Sequence, residues 1–180
     1  AHAHGDEGMF RAVASGVKTI EHGTLMSERT MELMKEKQAY LVPTITAGKQ
    51  VVEKAKIPGY YPAIIVPKAL KVGPRIQATF KKAYGLGVPI AFGTDAGVFP
   101  HGLNAKEFGY MVEVGMPASE ALQSATVVNA ALLDNEDKLG QIKKGFYADI
   151  VASDANALDE IATLENITFV MKNGVVYKNK

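Results

Sequence analysis

The chain has no cysteine in its 180 residues. Disulfides and thiolate metal sites are therefore excluded, and redox conditions are without consequence for the fold. Neither sign of charge is in excess: 20 Lys and Arg stand against 19 Asp and Glu, a formal net charge of +1, and no basic block occurs. That balance gives no reason to expect nucleic acid as a partner. No apolar run approaches the roughly 18 residues of a membrane span, so no membrane partner is expected, and no signal peptide stands out. Localisation stays open, with a cytoplasmic setting as the default. Internal repeats, low-complexity segments and a G-x-G-x-x-G phosphate loop are also missing, which disfavours a Rossmann-like topology. Histidine is scarce: His2, His4, His22 and His101 are the full set.

What is present is organised around Phe92-Gly93-Thr94-Asp95-Ala96-Gly97, which follows the apolar run Val88-Pro89-Ile90-Ala91. A buried carboxylate at a strand end costs several kcal/mol unless a cation or hydrogen bonds hold it. Two earlier stretches have the same shape: Ala1-His2-Ala3-His4-Gly5 and Val17-Lys18-Thr19-Ile20-Glu21-His22-Gly23. Each places a metal-capable side chain at the end of an expected strand, with glycine following. His2 and His22 are twenty residues apart, about one strand-helix unit, so they belong at the ends of adjacent strands.

Periodicity predicts strands ending at residue 4 and over 17–21, 39–47 and 88–92. Helices are expected over 6–15, from Ser27 onward, over 62–85 with Pro67 and Pro74 as possible kinks, over 107–114 and over 117–133. Residues 48–61 read as irregular. Alternating strands and helices with near-continuous apolar strands indicate a parallel α/β sheet. Ligand-type residues only at C-terminal strand ends fit the C-terminal half of a (β/α)₈ TIM barrel, strands 5–8. The character changes after residue 138. A turn-rich connector leads to a short strand over 147–153, then to a hairpin over 167–178 with Asn173-Gly174 as a type I′ turn. The expected division is 1–138 for the half barrel and 139–180 for a small β unit.

A lone histidine at a strand end is more often structural than a ligand, and a lone aspartate among glycines is more often a turn or capping residue. The weight comes from His2, His22 and Asp95 recurring at corresponding strand ends. Neutral imidazoles suit zinc and similar divalent ions. An ion lowers the pKa of water from 15.7 to about 7, and Asp95 is placed to take the proton as general base. His4 shares a face with His2 if the strand continues. His101 follows in the loop after Asp95. Both are candidates to contact substrate.

Taken together, HAHG, IEHGT, FGTDAG followed by PHG, PASEALQSATVVNAALL and LGQIKKGFYADIVA resemble the metal-dependent amidohydrolase superfamily. The nearest branch is the imidazolonepropionase-like group with bacterial Xaa-Pro dipeptidases, the amidohydrolase-type prolidases. The resemblance runs along essentially the whole chain. It implies a (β/α)₈ barrel with a small β-sandwich built from both chain ends. His2, His22 and Asp95 would be the ligands of strands 5, 6 and 8, with Asp95 also the general base. It further implies one or two divalent ions, usually zinc, and hydrolysis of a C–N amide bond in a small substrate such as a dipeptide. Cyclic-amide hydrolysis or deamination is the alternative on the same scaffold, and a metal-free, non-catalytic barrel the alternative of another class. The family's His-x-His pair on strand 1 and the carboxylated lysine of its binuclear members have no counterpart here. His2-Ala3-His4 does not serve as that pair, because His22 follows after one unit rather than four. The remaining ligands are expected upstream of residue 1, in an N-terminal half of the same barrel, and homo-oligomers are common among the family's members.

Overall fold

The computed structural model describes residues 1–180. It shows a mixed α/β chain with two separate three-stranded sheets. The first sheet is parallel, in the order β1 (His2–Ala3), β2 (Thr19–His22) and β3 (Tyr40–Val42). Helices α1 (Asp6–Ala14) and α2 (Glu28–Lys37) form the crossovers. Met9 and Val13, one turn apart on α1, are fully buried, as are Met31 and Met34 of α2. Ser27 caps α2 by accepting from the Thr30 amide at 3.3 Å. Asp6 does more than favour its own helix start. It accepts from the Ser27 amide at 2.8 Å and the Thr30 hydroxyl at 2.7 Å, tying the openings of the two helices together.

The expected strand over 39–47 stops at Val42. Pro43 has no N–H to offer a ladder, and Thr44 turns into the left-handed region at φ 50°. A helix, α3 (Ile45–Ala55), then occupies most of the stretch read as irregular. Its start is capped from a distance. The buried carboxylate of Glu107 accepts from the Ile45 amide at 2.7 Å, the Thr46 amide at 2.8 Å and the Thr46 hydroxyl at 2.6 Å.

The long helix expected over 62–85 is two helices, α4 (Val66–Val72) and α5 (Arg75–Gly85), parted at Gly73-Pro74. Pro67 is no kink, since it lies in the first turn of α4, where its missing N–H is harmless. Gly73 lets α4 press onto α3: a Cβ there would lie 2.9 Å from the Gly48 carbonyl. The expected strand over 88–92 reduces to one parallel bridge, Leu41 to Ile90, with Leu41 donating to Pro89 and Ala91 donating to Leu41. Pro89 cannot donate, and Asn129 takes up the Phe92 backbone through both its amide and its carbonyl.

Helix α6 (Lys106–Glu113) carries Glu107. The run over 117–133 is also broken, into α7 (Ala118–Ala125) and α8 (Val127–Leu132). At the break, Thr126 leaves helical geometry and its hydroxyl donates to the Leu122 carbonyl. One buried cluster joins sheet and helices, with Ile20, Leu41, Met31, Ile76, Phe80 and Met111 at its centre. Each such side chain contributes about 1.5–3 kcal/mol.

The second sheet is antiparallel: β4 (Ile150–Ala152), β5 (Phe169–Lys172) and β6 (Val175–Asn179). A 3₁₀ helix over Ile161–Glu165 precedes β5. The predicted hairpin is present, and Asn173 and Gly174 take φ 49° and 78°, as a type I′ turn requires. Asp149 braces it, accepting from the Asn173 amide and the Lys172 ammonium. No helix of the chain is long and apolar enough to cross a membrane.

Candidate metal centre

The parallel pairing sets Ala3 beside His22 and His2 beside Glu21. That register brings His2, His4 and His22 to one end of the sheet, with ring centroids 4.5 to 4.9 Å apart. One ligand nitrogen from each lies within 4.8 Å of the others. The backbone turns sharply where the side chains converge: His22 sits at φ 71°, Thr44 at 50° and Asp95 at 55°. Left-handed geometry in residues with a Cβ costs on the order of 1–3 kcal/mol each and concentrates at functional sites. Gly23, immediately after His22, cannot be replaced freely, because φ is 62° and a Cβ would lie 2.6 Å from Leu41 Cδ1.

Two threonines orient the imidazoles. Thr44 Oγ1 is 2.7 Å from His22 Nδ1, and Thr24 Oγ1 is 2.7 Å from His4 Nδ1. His22 Nε2 is 2.7 Å from His2 Nδ1. With the His22 proton on Nδ1, Thr44 accepts it and the Nε2 lone pair faces the cluster. A hydrogen-bond acceptor on the far nitrogen fixes the tautomer of a ligating histidine, and here a hydroxyl takes that place.

The rings of His4 and His22 are held neutral. Burial, with the neighbouring His2 and His4, lowers the pKa of His22 from 6.5 to about 4, against an opposing pull from Asp95. Burial, His2 and Lys68 lower that of His4, again opposed by Asp95. Neutral imidazole is the ligating form, so protons do not compete for these nitrogens near neutral pH.

Asp95 lies outside the tight trio but lines the same cavity of about 530 Å³ as His2, His4 and His22. His101 is on an exposed loop and does not line it. The sequence reading missed Thr24, Thr44, Lys68 and Glu107. Thr24 stands two residues after His22 and could have been flagged, whereas the other three had no local signal. The donor set fits a divalent ion: imidazole nitrogens converge, hydroxyls brace His4 and His22 from the far side, and a carboxylate is within the same cavity.

The sequence profile of the Amidohydrolase family matches residues 1–178, and the chain belongs to that family. Among curated relatives, ochratoxinase from Aspergillus niger is 31% identical over 186 residues, covering 99% of this chain and 37% of that protein. A solved Xaa-Pro dipeptidase with methionine bound in its active site is 56% identical, with a TM-score of 0.96, over 99% of this chain and 44% of that one. A prolidase solved with N-methylphosphonate-L-proline is 32% identical, with a TM-score of 0.89, over 100% of this chain and 45% of that one. The chain thus spans less than half the length of each of these proteins.

Proposed function

We propose that this chain contributes the strand-end residues of a metal-dependent amidohydrolase that cleaves a C–N amide bond in a small substrate, a dipeptide in the first instance. The observation that carries the proposal is the convergence of His2, His22 and Asp95 on one cavity. The likeness to a dipeptidase with bound methionine and to a prolidase with a proline phosphonate supports the dipeptide. In this reading residues 1–138 are the C-terminal half of a (β/α)₈ barrel, with β1, β2, β3 and the segment at Ile90 as strands 5–8. Residues 139–180 belong to a small β-sandwich. The rest of the barrel comes from an N-terminal half, and the protein assembles as a homo-oligomer.

His2 and His22 would hold the ion, zinc being the expected one, and Asp95 would complete the set. A bound divalent ion supplies Lewis acidity, polarising a carbonyl and making water acidic enough to lose a proton near neutral pH. Thr44 keeps His22 turned toward the cluster, and Thr24 does the same for His4. Asp95 accepts the proton of the attacking water and returns it to the leaving nitrogen, a role that typically contributes 10²–10⁴-fold. His4 is placed to contact substrate from beside His2.

The test is hydrolysis of Xaa-Pro, Xaa-Met, Xaa-Arg and N-acyl amino acids, side by side, by the intact zinc-supplemented protein. Cleavage confined to dipeptides supports the proposal. No cleavage of any of them by protein that has bound its metal refutes it and redirects the search to cyclic amides and deamination.

A further inference from the structure

The cavity at the histidine cluster has one cation in its lining, Lys68, and one anion, Asp95. The remaining wall is largely apolar. Lys68 is the third residue of α4, and its backbone is firmly placed. Ala69 beside it is buried, and the helix packs on α3 through the close Gly73–Gly48 approach. The ammonium has no carboxylate partner, since Lys68 takes part in none of the chain's ion pairs. Lys54, on the neighbouring helix α3, is engaged with the Val98 carbonyl and does not line the cavity. Lys68 and His4 line the same cavity, so the ammonium faces the space in front of the cluster.

An anionic group entering an apolar cavity needs a cation or strong donors there. Asp95 would repel such a group, and an ion held by His2, His22 and Asp95 would be occupied with the scissile amide, which leaves Lys68 to receive the carboxylate. We propose that Lys68 anchors the carboxylate of the substrate, and that the part it anchors is an α-amino acid whose apolar side chain lies against Leu25, Val51, Ile65, Val72 and Ile76. This rests on the amidohydrolase reading above and names the substrate class: amides whose leaving amine is an apolar amino acid with a free carboxylate. The lysine stem is flexible and its head is a point charge, so it follows the carboxylate without demanding a two-pronged geometry.

The experiment is calorimetric titration of the intact, metal-loaded protein with L-leucine and with L-leucinamide, in the wild type and in Lys68→Met, Lys68→Arg and Lys68→Glu. Losing a charged contact of this kind weakens binding about tenfold to a hundredfold. The expected result is that loss for leucine in Lys68→Met, a larger one in Lys68→Glu and near-retention in Lys68→Arg, with leucinamide little changed throughout. Equal leucine affinity in the wild type and Lys68→Met overturns the anchor, and so does a wild type that binds no leucine. Hydrolysis of N-acetyl-leucine and N-acetyl-leucinamide is followed in the same preparations. Cleavage of both without preference for the free acid overturns the anchor while leaving the amidohydrolase reading in place. Leucine binding that depends on Lys68, in a protein that cleaves neither, supports the anchor and counts against the reading of the reaction.

Discussion

Replacing Glu107 by glutamine tests how the start of α3, and with it Thr44, is held. The carboxylate accepts three hydrogen bonds, one on Oε1 from the Ile45 amide and two on Oε2 from Thr46. A glutamine serves Thr46 with its carbonyl oxygen but turns an NH₂ group toward the Ile45 amide. One buried donor is then unsatisfied, at a cost of about 1–3 kcal/mol. The wild type has an opposing burden. Complete burial raises the Glu107 carboxyl from 4.5 to about 7, with the Thr46 and Ile45 bonds pulling the other way. Because the folded pKa exceeds the unfolded one, the folded state binds the proton more tightly between pH 4.5 and 7. That contribution to stability is fully present below 4.5 and is lost as pH rises through 7, amounting to about 3 kcal/mol. Glutamine does not titrate, so the variant lacks this slope, while slopes from other groups cancel in the difference. Urea unfolding of both intact proteins at pH 5 and pH 8 measures it. The variant should be clearly weaker than the wild type at pH 5, and the gap should shrink or reverse at pH 8. A gap that stays constant or widens with pH would refute the reasoning, because the three donors would then hold the carboxyl ionised at both pH values.

On the proposed reading, Asp95→Asn should lower kcat at least about a hundredfold, and a near-normal rate in the intact protein removes Asp95 from proton transfer. Thr44→Val keeps the branched shape but removes the hydroxyl on His22 Nδ1. Metal affinity, read by competition with a chromogenic chelator, should fall about 10–100-fold, and unchanged affinity would show that the ring needs no such partner. His22 has a folded pKa of about 4, below its ordinary 6.5, so the unfolded chain takes up the proton first as pH falls. The metal-free protein should lose about 3 kcal/mol of stability between pH 6.5 and 4, whereas a His22→Asn variant should lose that much less over the same window.

Much of the site's placement was legible because its signals are local. His-x-His alternation puts His2 and His4 on one face, glycine follows His22, and Asp95 lies between glycines at the end of an apolar run. The structure brings these residues onto one cavity. The Asn173-Gly174 hairpin was legible for the same reason, since its turn chemistry is contained in two residues. Residues 39–47 misled because they are apolar and β-branched, and what ends the strand lies elsewhere. Glu107, sixty-one residues beyond Thr46, supplies the acceptors that start the helix. Asn129 has the same influence on Phe92 from thirty-seven residues away. Lys68 was invisible for a related reason: a lysine on a short helix gives no sign in sequence that it borders a cavity.

The left-handed backbone at His22, Thr44 and Asp95 has a consequence for laboratory evolution. Selection for heat resistance alone would reward residues that relax these three turns, and glycine does so at each. Glycine at any of them also deletes an imidazole, the hydroxyl that braces one, or the carboxylate. Variants ranked by thermal survival should therefore collect glycine at these positions as their turnover disappears, and a screen for robust variants of this protein has to score activity at the same time.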